Sequence, residues 1–350
     1  MEPKPYEELS ATAQTAYAQL LEAALAAGHL RGVADLSGSF AAKTVRGAKY
    51  WYYQYTEPSG KLRQIFVGPD TPPVHALMAR KSKPAVTAAL GPLARACAAL
   101  GCAEALPRHV RVLNRLAEYG FFRAGGVLIG THAFLAFGNM LGVKWGDASR
   151  TQDIDFAHAG KRLSILLPGD VQIRTHEAIA SLDMGFLPVT GLNTKAGATY
   201  LNPREPEFKL DFLTTLTRTG DEPYDHPQLG VTLQPLKFME FSLERVQQAV
   251  LFAGEHCVVV NVPQPARYAL HKLLVYGERE GAFATKAGKD LLQVFQLLAW
   301  LKTHRPAETV EVWEDLISRG PGWVKRARPG LAALATLAPE LQVKKWLKFK

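Results

Sequence analysis

An α+β fold, with a mixed sheet flanked by helices at its centre, is what this sequence predicts, on three observations. The stretch from Pro107 to Gly220 alternates short apolar runs of strand character with helical spacing, as a sheet with packed helices requires. Ahead of it, aromatic and β-branched runs between residues 39 and 68 are cut by turn residues at intervals too short for helices. Behind it, from Asp221 to Lys350, long runs of helical spacing are punctuated by Pro and Gly. Three units are expected: an accessory unit over 1–106, a core over 107–220 and a mostly helical unit over 221–350.

The accessory unit opens with a helix over Glu7 to Ala27, rich in Ala and Leu and free of Pro. SFAAKTV, KYWYYQY and KLRQIFVG follow, divided by Arg46-Gly47 and by Glu57-Pro58-Ser59-Gly60, which predicts a three-stranded antiparallel meander. A second helical stretch runs from Pro73 to Leu100. In the core, VLIG (127–130) is a short apolar strand, THAFLAFGNML a helix, DIDFA (153–157) a strand and EAIASLDMG a helix. ATYLN and EFKLDFLT form a hairpin pair around Pro203 to Pro206. In the last unit HCVVVNV (256–262) is a strand, followed by helices over 265–280, 286–303 and 309–318. A final stretch, 323–337, is expected to break at Pro329-Gly330.

Composition narrows the function. Lys and Arg number 41 against 32 Asp and Glu, a net charge of +9 that favours an anionic partner such as nucleic acid or nucleotide. Three cysteines, Cys97, Cys102 and Cys257, are too few for a disulfide framework and read as buried small hydrophobes. The N-terminal residues lack the apolar core of a signal peptide, and no apolar run reaches the ~18 residues of a membrane span. A cytoplasmic protein is therefore expected. No Walker loop, H-E-x-x-H or G-x-S-x-G occurs.

Three features of the core converge on one chemistry. Gly130-Thr131 stands directly after the strand VLI and before a helix, where glycine lets the backbone approach a phosphate and the helix N-terminus offers free N–H groups. In Asp153-Ile154-Asp155-Phe156, strand alternation projects both carboxylates to one face while Ile154 and Phe156 enter the core. Asp is a poor strand former and adjacent anions repel, a conflict that a divalent cation resolves. Asp211, in Phe208-Lys209-Leu210-Asp211-Phe212, again interrupts an otherwise apolar strand. If its strand lies beside the first, three carboxylates meet, and oxygen-only ligation suits Mg²⁺ or Mn²⁺.

The order strand-Gly-[Ser/Gly], helix, D-h-[D/E]-h and later strand Asp resembles the signature of the polymerase-β-like nucleotidyltransferase superfamily. LIGTHAFLAFGNMLG with TQDIDFA looks like a bacterial nucleotidyltransferase-like family within it, related in pattern to AbiE-type toxin transferases. PLKFMEF, VPQPARYALHKLLV and KAGKDLL look similar to the same family's C-terminal region, so the likeness spans about 107 to 340. It implies a polymerase-β-like core and a Mg²⁺- or Mn²⁺-dependent enzyme that moves a nucleoside monophosphate from an NTP to an acceptor hydroxyl. By the same resemblance Asp153 and Asp155 bind both metal ions, Asp211 holds the one that activates the acceptor, and Gly130 and Thr131 cradle the triphosphate. Lys272 would neutralise the phosphates and Asp290 would brace the site. A toxin–antitoxin or defence role is expected by analogy alone. This sequence departs from the pattern in two ways: Thr131 replaces the usual Ser or Gly, and the spacing from Gly130 to Asp153 is long, with an extended helix or loop over 142–149.

Other residues carry bland readings beside the functional one. Lys272 reads equally as a surface lysine, because Ala266, Leu270, Leu273 and Gly277 form the packing stripe of its helix while Arg267 and His271 fall away with it. Arg267 and Lys289 are further phosphate candidates. His132 and His158 read as hydrogen-bonded structural histidines. Lys43, Arg46, Lys49, Lys61 and Arg63 interleave with Trp51, Tyr52, Tyr53 and Tyr55 in the meander, a pattern that grips nucleic acid or docks a protein. RNA, such as a tRNA end, is the favoured acceptor and a protein side chain the other. The alternatives are a non-catalytic nucleic-acid-binding protein on the same fold, or a protein-interaction module. Oligomeric state is not legible in the sequence.

Overall fold

The computed structural model describes residues 5–30, 39–56, 62–81, 89–146, 149, 151–159, 173–190, 196–216, 220–277 and 284–349. After β1 (Glu7–Glu8), helix α1 (Ala11–Leu30) starts at Ser10, whose Oγ accepts from the Ala13 N–H at 3.2 Å. Ala13, Tyr17, Leu20 and Ala24 recur at helical spacing and are buried. The meander forms as expected from β2 (Ser39–Val45), β3 (Ala48–Thr56) and β4 (Leu62–Pro69). Arg46 and Gly47, at φ 51° and 82°, make the two-residue turn that matches strand twist. The Glu57–Gly60 turn lies outside the described residues. The helical stretch expected over Pro73–Leu100 is two helices, α2 (Pro72–Lys81) and α3 (Leu90–Ala99), with 82–88 outside the described residues.

The core begins with α4 (Pro107–Glu118), β5 (Val127–Leu128), α5 (Gly130–Leu141) and β6 (Val143–Lys144). Then come β7 (Ile154–His158), α6 (Thr175–Ala180), β8 (Leu187–Thr190), β9 (Ala196–Asn202) and β10 (Glu205–Thr215). The chain continues through β11 (Tyr224–His226), β12 (Val231–Leu236), α7 (Met239–Leu243), β13 (Val246–Ala253) and β14 (His256–Pro263). It closes with α8 (Pro265–Tyr276), α9 (Ala284–His304), α10 (Pro306–Ser318), α11 (Pro321–Leu337) and α12 (Val343–Trp346).

Seven strands make the central mixed sheet, ordered β11-β12-β10-β7-β5, with β9 joined to β10 and β8 to β9. Strand β10 organises it. One edge runs parallel to β7; the other pairs antiparallel with β9 over its first half and parallel with β12 over its second. Alternation along β7 and β10 buries Ile154, Phe156, Phe208, Leu210 and Phe212 completely, with the Phe156 and Phe212 rings stacked at 5.0 Å. The opposite face is left to Asp155 and Asp211. Because β11 and β12 belong to this sheet, the boundary expected at Gly220 falls inside it.

Two features of the last unit differ from expectation. Strands β11, β12 and β13 occur where helix was expected. Strand β13 lies between two cores: Ala249, Leu251 and Ala253 face the central one, Val250 and Phe252 the cluster of α1 and α3. A strand buried on both faces has no polar alternation, so its apolar run cannot be told from a helix by period. Helix α11 continues through Pro329 instead of breaking there. A Cβ on Gly330 would overlap the Leu273 carbonyl oxygen, so this glycine is what lets α11 press onto the α8 backbone. No helix among the described residues is long and apolar enough to cross a membrane.

Candidate functional site

The parallel register of β7 and β10 sets Asp211 directly beside Asp155. Asp153 stands one residue ahead of β7, and all three line one cavity of about 920 Å³. The juxtaposition expected from strand alternation is therefore present. Thr199 on β9 donates its hydroxyl to Asp211 Oδ1 at 2.6 Å, and Thr151 donates to Asp153. Two lysines not singled out in the sequence lie against the carboxylates: Lys209 Nζ is 2.8 Å from Asp211 Oδ2, and Lys286 Nζ is 3.4 Å from Asp153 Oδ2. Lys209 had a signal, since residue i−2 on a strand shares the face of Asp211. Lys286 comes from the start of α9, far along the chain, inside the KAGKDLL stretch but with no role of its own read there.

The electrostatics of the three acids differ. Burial and the neighbouring Asp153 carboxylate push Asp155 up to about 6. Burial also pushes Asp153 upward, but the Thr151 hydroxyl and Lys286 outweigh it and hold Asp153 below the usual range. Burial opposes the charge of Lys209, yet its bond to Asp211 keeps its pKa raised.

Gly130 closes this end of the cavity. Its φ of 62° is left-handed, and a Cβ there would overlap Asp155 Oδ2. The Ile129 N–H donates to the Asp155 carbonyl at 2.9 Å, clamping the turn to β7. Helix α5 starts at Gly130, so its N-terminal N–H groups open beside the acids. Tyr268 on α8 donates its hydroxyl toward the Gly130 carbonyl at 2.9 Å and lies 3.0 Å from Gln293 Oε1, while Gln293 donates to Thr131 Oγ1 at 3.3 Å. The Thr131 hydroxyl thus faces a buried helix wall. Sequence reasoning missed Tyr268 and Gln293, whose residue types carry no motif.

Helices α8 and α9 supply the facing wall. Lys272 and Asp290 both line the cavity and form an ion pair with each other. Lys272 is only 8% exposed, so the surface-lysine reading is corrected: α8 is covered by α7, α9, α10 and α11 and buries nearly its whole circumference. Arg267, expected to fall away from the packing stripe, is likewise buried. It is paired to Glu244 at 2.8 Å and Asp315 at 2.7 Å and does not line the cavity. Lys289 does line it, with burial lowering its pKa. His132 lies 2.8 Å from His109, and His158 bonds the Ala124 carbonyl at 2.9 Å; neither lines the cavity. The floor is β12 and α7, where Phe238 holds a left-handed φ of 64° and packs on Trp323.

The donor set is all carboxylate oxygen, which suits a hard divalent cation. Gly130, by lacking a Cβ, leaves room for the Asp155 carboxylate to stand against the turn. Among the described residues, however, no three His, Cys, Asp or Glu side chains stand in an arrangement that would hold a metal ion. Lys209 and Lys286 supply the positive charge there instead. The residues fit the cation in kind, with Lys209 and Lys286 paired to Asp211 and Asp153 in this structure.

Residues 107–318, which hold the glycine turn and the paired strand carboxylates, match a protein family described as Nucleotidyltransferase. The chain belongs to that family and is a transferase enzyme. A crystal structure of an antigenic nucleotidyltransferase-like protein from Paracoccidioides brasiliensis is similar at 15% identity, over 70% of this chain and 94% of that one, with a TM-score of 0.35. A score that low adds nothing to the fold argument. A search of curated proteins gives no match.

Proposed function

We propose that the chain transfers a nucleoside monophosphate from an NTP to an acceptor hydroxyl on a polymerase-β-type core, with Asp153, Asp155 and Asp211 as the catalytic and metal-holding residues. The observation that supports this most directly is the side-by-side register of Asp155 and Asp211 across from the Gly130 turn. A bound Mg²⁺ or Mn²⁺ supplies the charge that activates the acceptor oxygen and stabilises the departing pyrophosphate. The chain's own residues do the rest. The N–H groups at the start of α5 face the triphosphate, and the Tyr268–Gln293 pair fixes the turn that presents them. Lys289 meets the β- and γ-phosphates, and Lys272, held by Asp290, adds its positive charge to the same wall. Thr199 orients Asp211.

RNA is the favoured acceptor, with a tRNA end the specific choice. The net charge of +9 and the likeness of the motifs to toxin transferases support it, and a protein side chain is the other candidate. Incubation with each labelled NTP and Mg²⁺ or Mn²⁺ against total RNA and total protein tests the reading. Label should enter one pool and vanish in Asp153→Asn plus Asp155→Asn while the fold persists. Transfer that survives in the double variant, or none with any NTP, sinks it.

A further inference from the structure

Residues 39 to 83 carry eight Lys and Arg against two Asp and Glu, so about an eighth of the chain holds six of its nine excess positive charges. This segment lies outside the residues that match the family. It contains the meander, whose two faces differ. On the back, Phe40 packs edge-on to the fully buried Tyr53 at 5.0 Å, and α2 covers one end, with Val74 beneath Gly68 and His75 edge-on to Trp51 at 6.1 Å. On the front, the register aligns Lys43 with Tyr50 and Tyr52 with Phe66. The rings of Tyr50 and Tyr52 lie 6.0 and 5.5 Å from Phe66, and Lys43 Nζ stands 4.8 Å from the Tyr52 ring centre while donating to Gln64.

Phe66 is 56% exposed in the middle of this ladder. A cluster of aromatic faces in water is a platform awaiting a flat, apolar-faced partner. Its border is cationic. Lys43 lies on the face itself, and Arg46 stands exposed in the hairpin tip. A protein partner with an apolar patch matches the rings and not the charge; a free phosphate matches the charge and not the rings. A single-stranded nucleic acid matches both, with bases stacking on the rings and phosphates meeting the lysines.

We infer that the front face of β2–β3–β4 is a binding surface for single-stranded nucleic acid, with Tyr50, Tyr52 and Phe66 as the stacking platform and Lys43 as a phosphate contact. The surface is separate from the catalytic cavity and binds without NTP or divalent cation. The test is fluorescence anisotropy of the full chain, without NTP or metal, with labelled single-stranded RNA, single-stranded DNA and duplex DNA of about 12 nucleotides. Single strands should bind more tightly than duplex, and more weakly at about 200 than at about 50 mM salt. Which of RNA and DNA binds better names the source of the strand. Tyr52→Ala plus Phe66→Ala should weaken binding by roughly tenfold or more, and Tyr52→Phe, which keeps the ring, should not. Should the double variant fold poorly, the exposed Lys43→Glu serves in its place and should weaken binding as well. Undiminished binding by a folded double variant or by Lys43→Glu, preference for duplex, or no binding to any probe overturns the inference. Because nucleotidyl transfer is not the readout, failure here leaves the catalytic proposal standing, and the reverse.

Discussion

Two lysine–carboxylate groupings face one another across the cavity, and their charge balance differs. On the helical wall Lys272 and Asp290 pair with each other, both under 10% exposed, and Lys289 stands near both. On the sheet wall three carboxylates meet Lys209 and Lys286, which are 35% and 47% exposed. A buried, balanced pair neutralises itself and fixes two helices relative to one another. The sheet wall keeps a surplus of negative charge beside solvent, and loose lysines can leave it. The first grouping ties α8 to α9, and the second leaves its carboxylates within reach of solvent.

Breaking the balanced pair should give the largest effect. Asp290→Leu strands a buried ammonium and should cost about 3–5 kcal/mol in urea unfolding, whereas Lys272→Met with Asp290→Leu should return to within about 1 kcal/mol of the parent. A single variant as stable as the parent would erase the distinction between the walls. Gly130→Ala acts on the sheet wall through geometry: the left-handed φ costs about 1–2 kcal/mol, and the displaced Asp155 should lower transfer about 100-fold. Transfer that falls no further than stability would show that the turn does not position the acid.

The buried His109–His132 pair, behind the cavity, is a neutral grouping against which to set both walls. Burial pulls the two down to about 4 and about 3. The unfolded chain takes up protons from about pH 6.5 downward while the folded one resists, so stability is full above that pH and is lost as pH falls toward 4. The loss should be on the order of 2 kcal/mol in pH-dependent thermal unfolding, and His109→Phe should reduce it. The smallest effect belongs to Lys286. As a half-exposed partner it contributes under about 1 kcal/mol, so Lys286→Met should leave stability unchanged and tighten Mn²⁺ binding a few-fold. Weaker Mn²⁺ binding would mean that this lysine supports the acids instead of competing with the cation.

Where local rules act on neighbouring residues, the sequence was enough. The meander, its Arg46-Gly47 turn, the burial of Ile154 and Phe156 and the common face of Asp153 and Asp155 all follow from alternation and turn chemistry. What escaped depends on distant chain meeting it. Lys286 reaches Asp153 across 133 residues, Tyr268 reaches Gly130 across 138, and β13 owes its strand form to cores on both sides. Lys272 looked like a surface residue because its helix was weighed alone, without the helices that wrap it.

Strand β13 also governs how the molecule can be cut. The family match begins at residue 107, which invites trimming everything before it. Yet Val250 and Phe252 are shielded by α1 and α3, and Tyr17 bonds the Val250 backbone through its hydroxyl on both sides, at 3.1 and 3.0 Å. A fragment starting at 107 would bare one side of a long hydrophobic hairpin, and it should aggregate more readily than the intact chain.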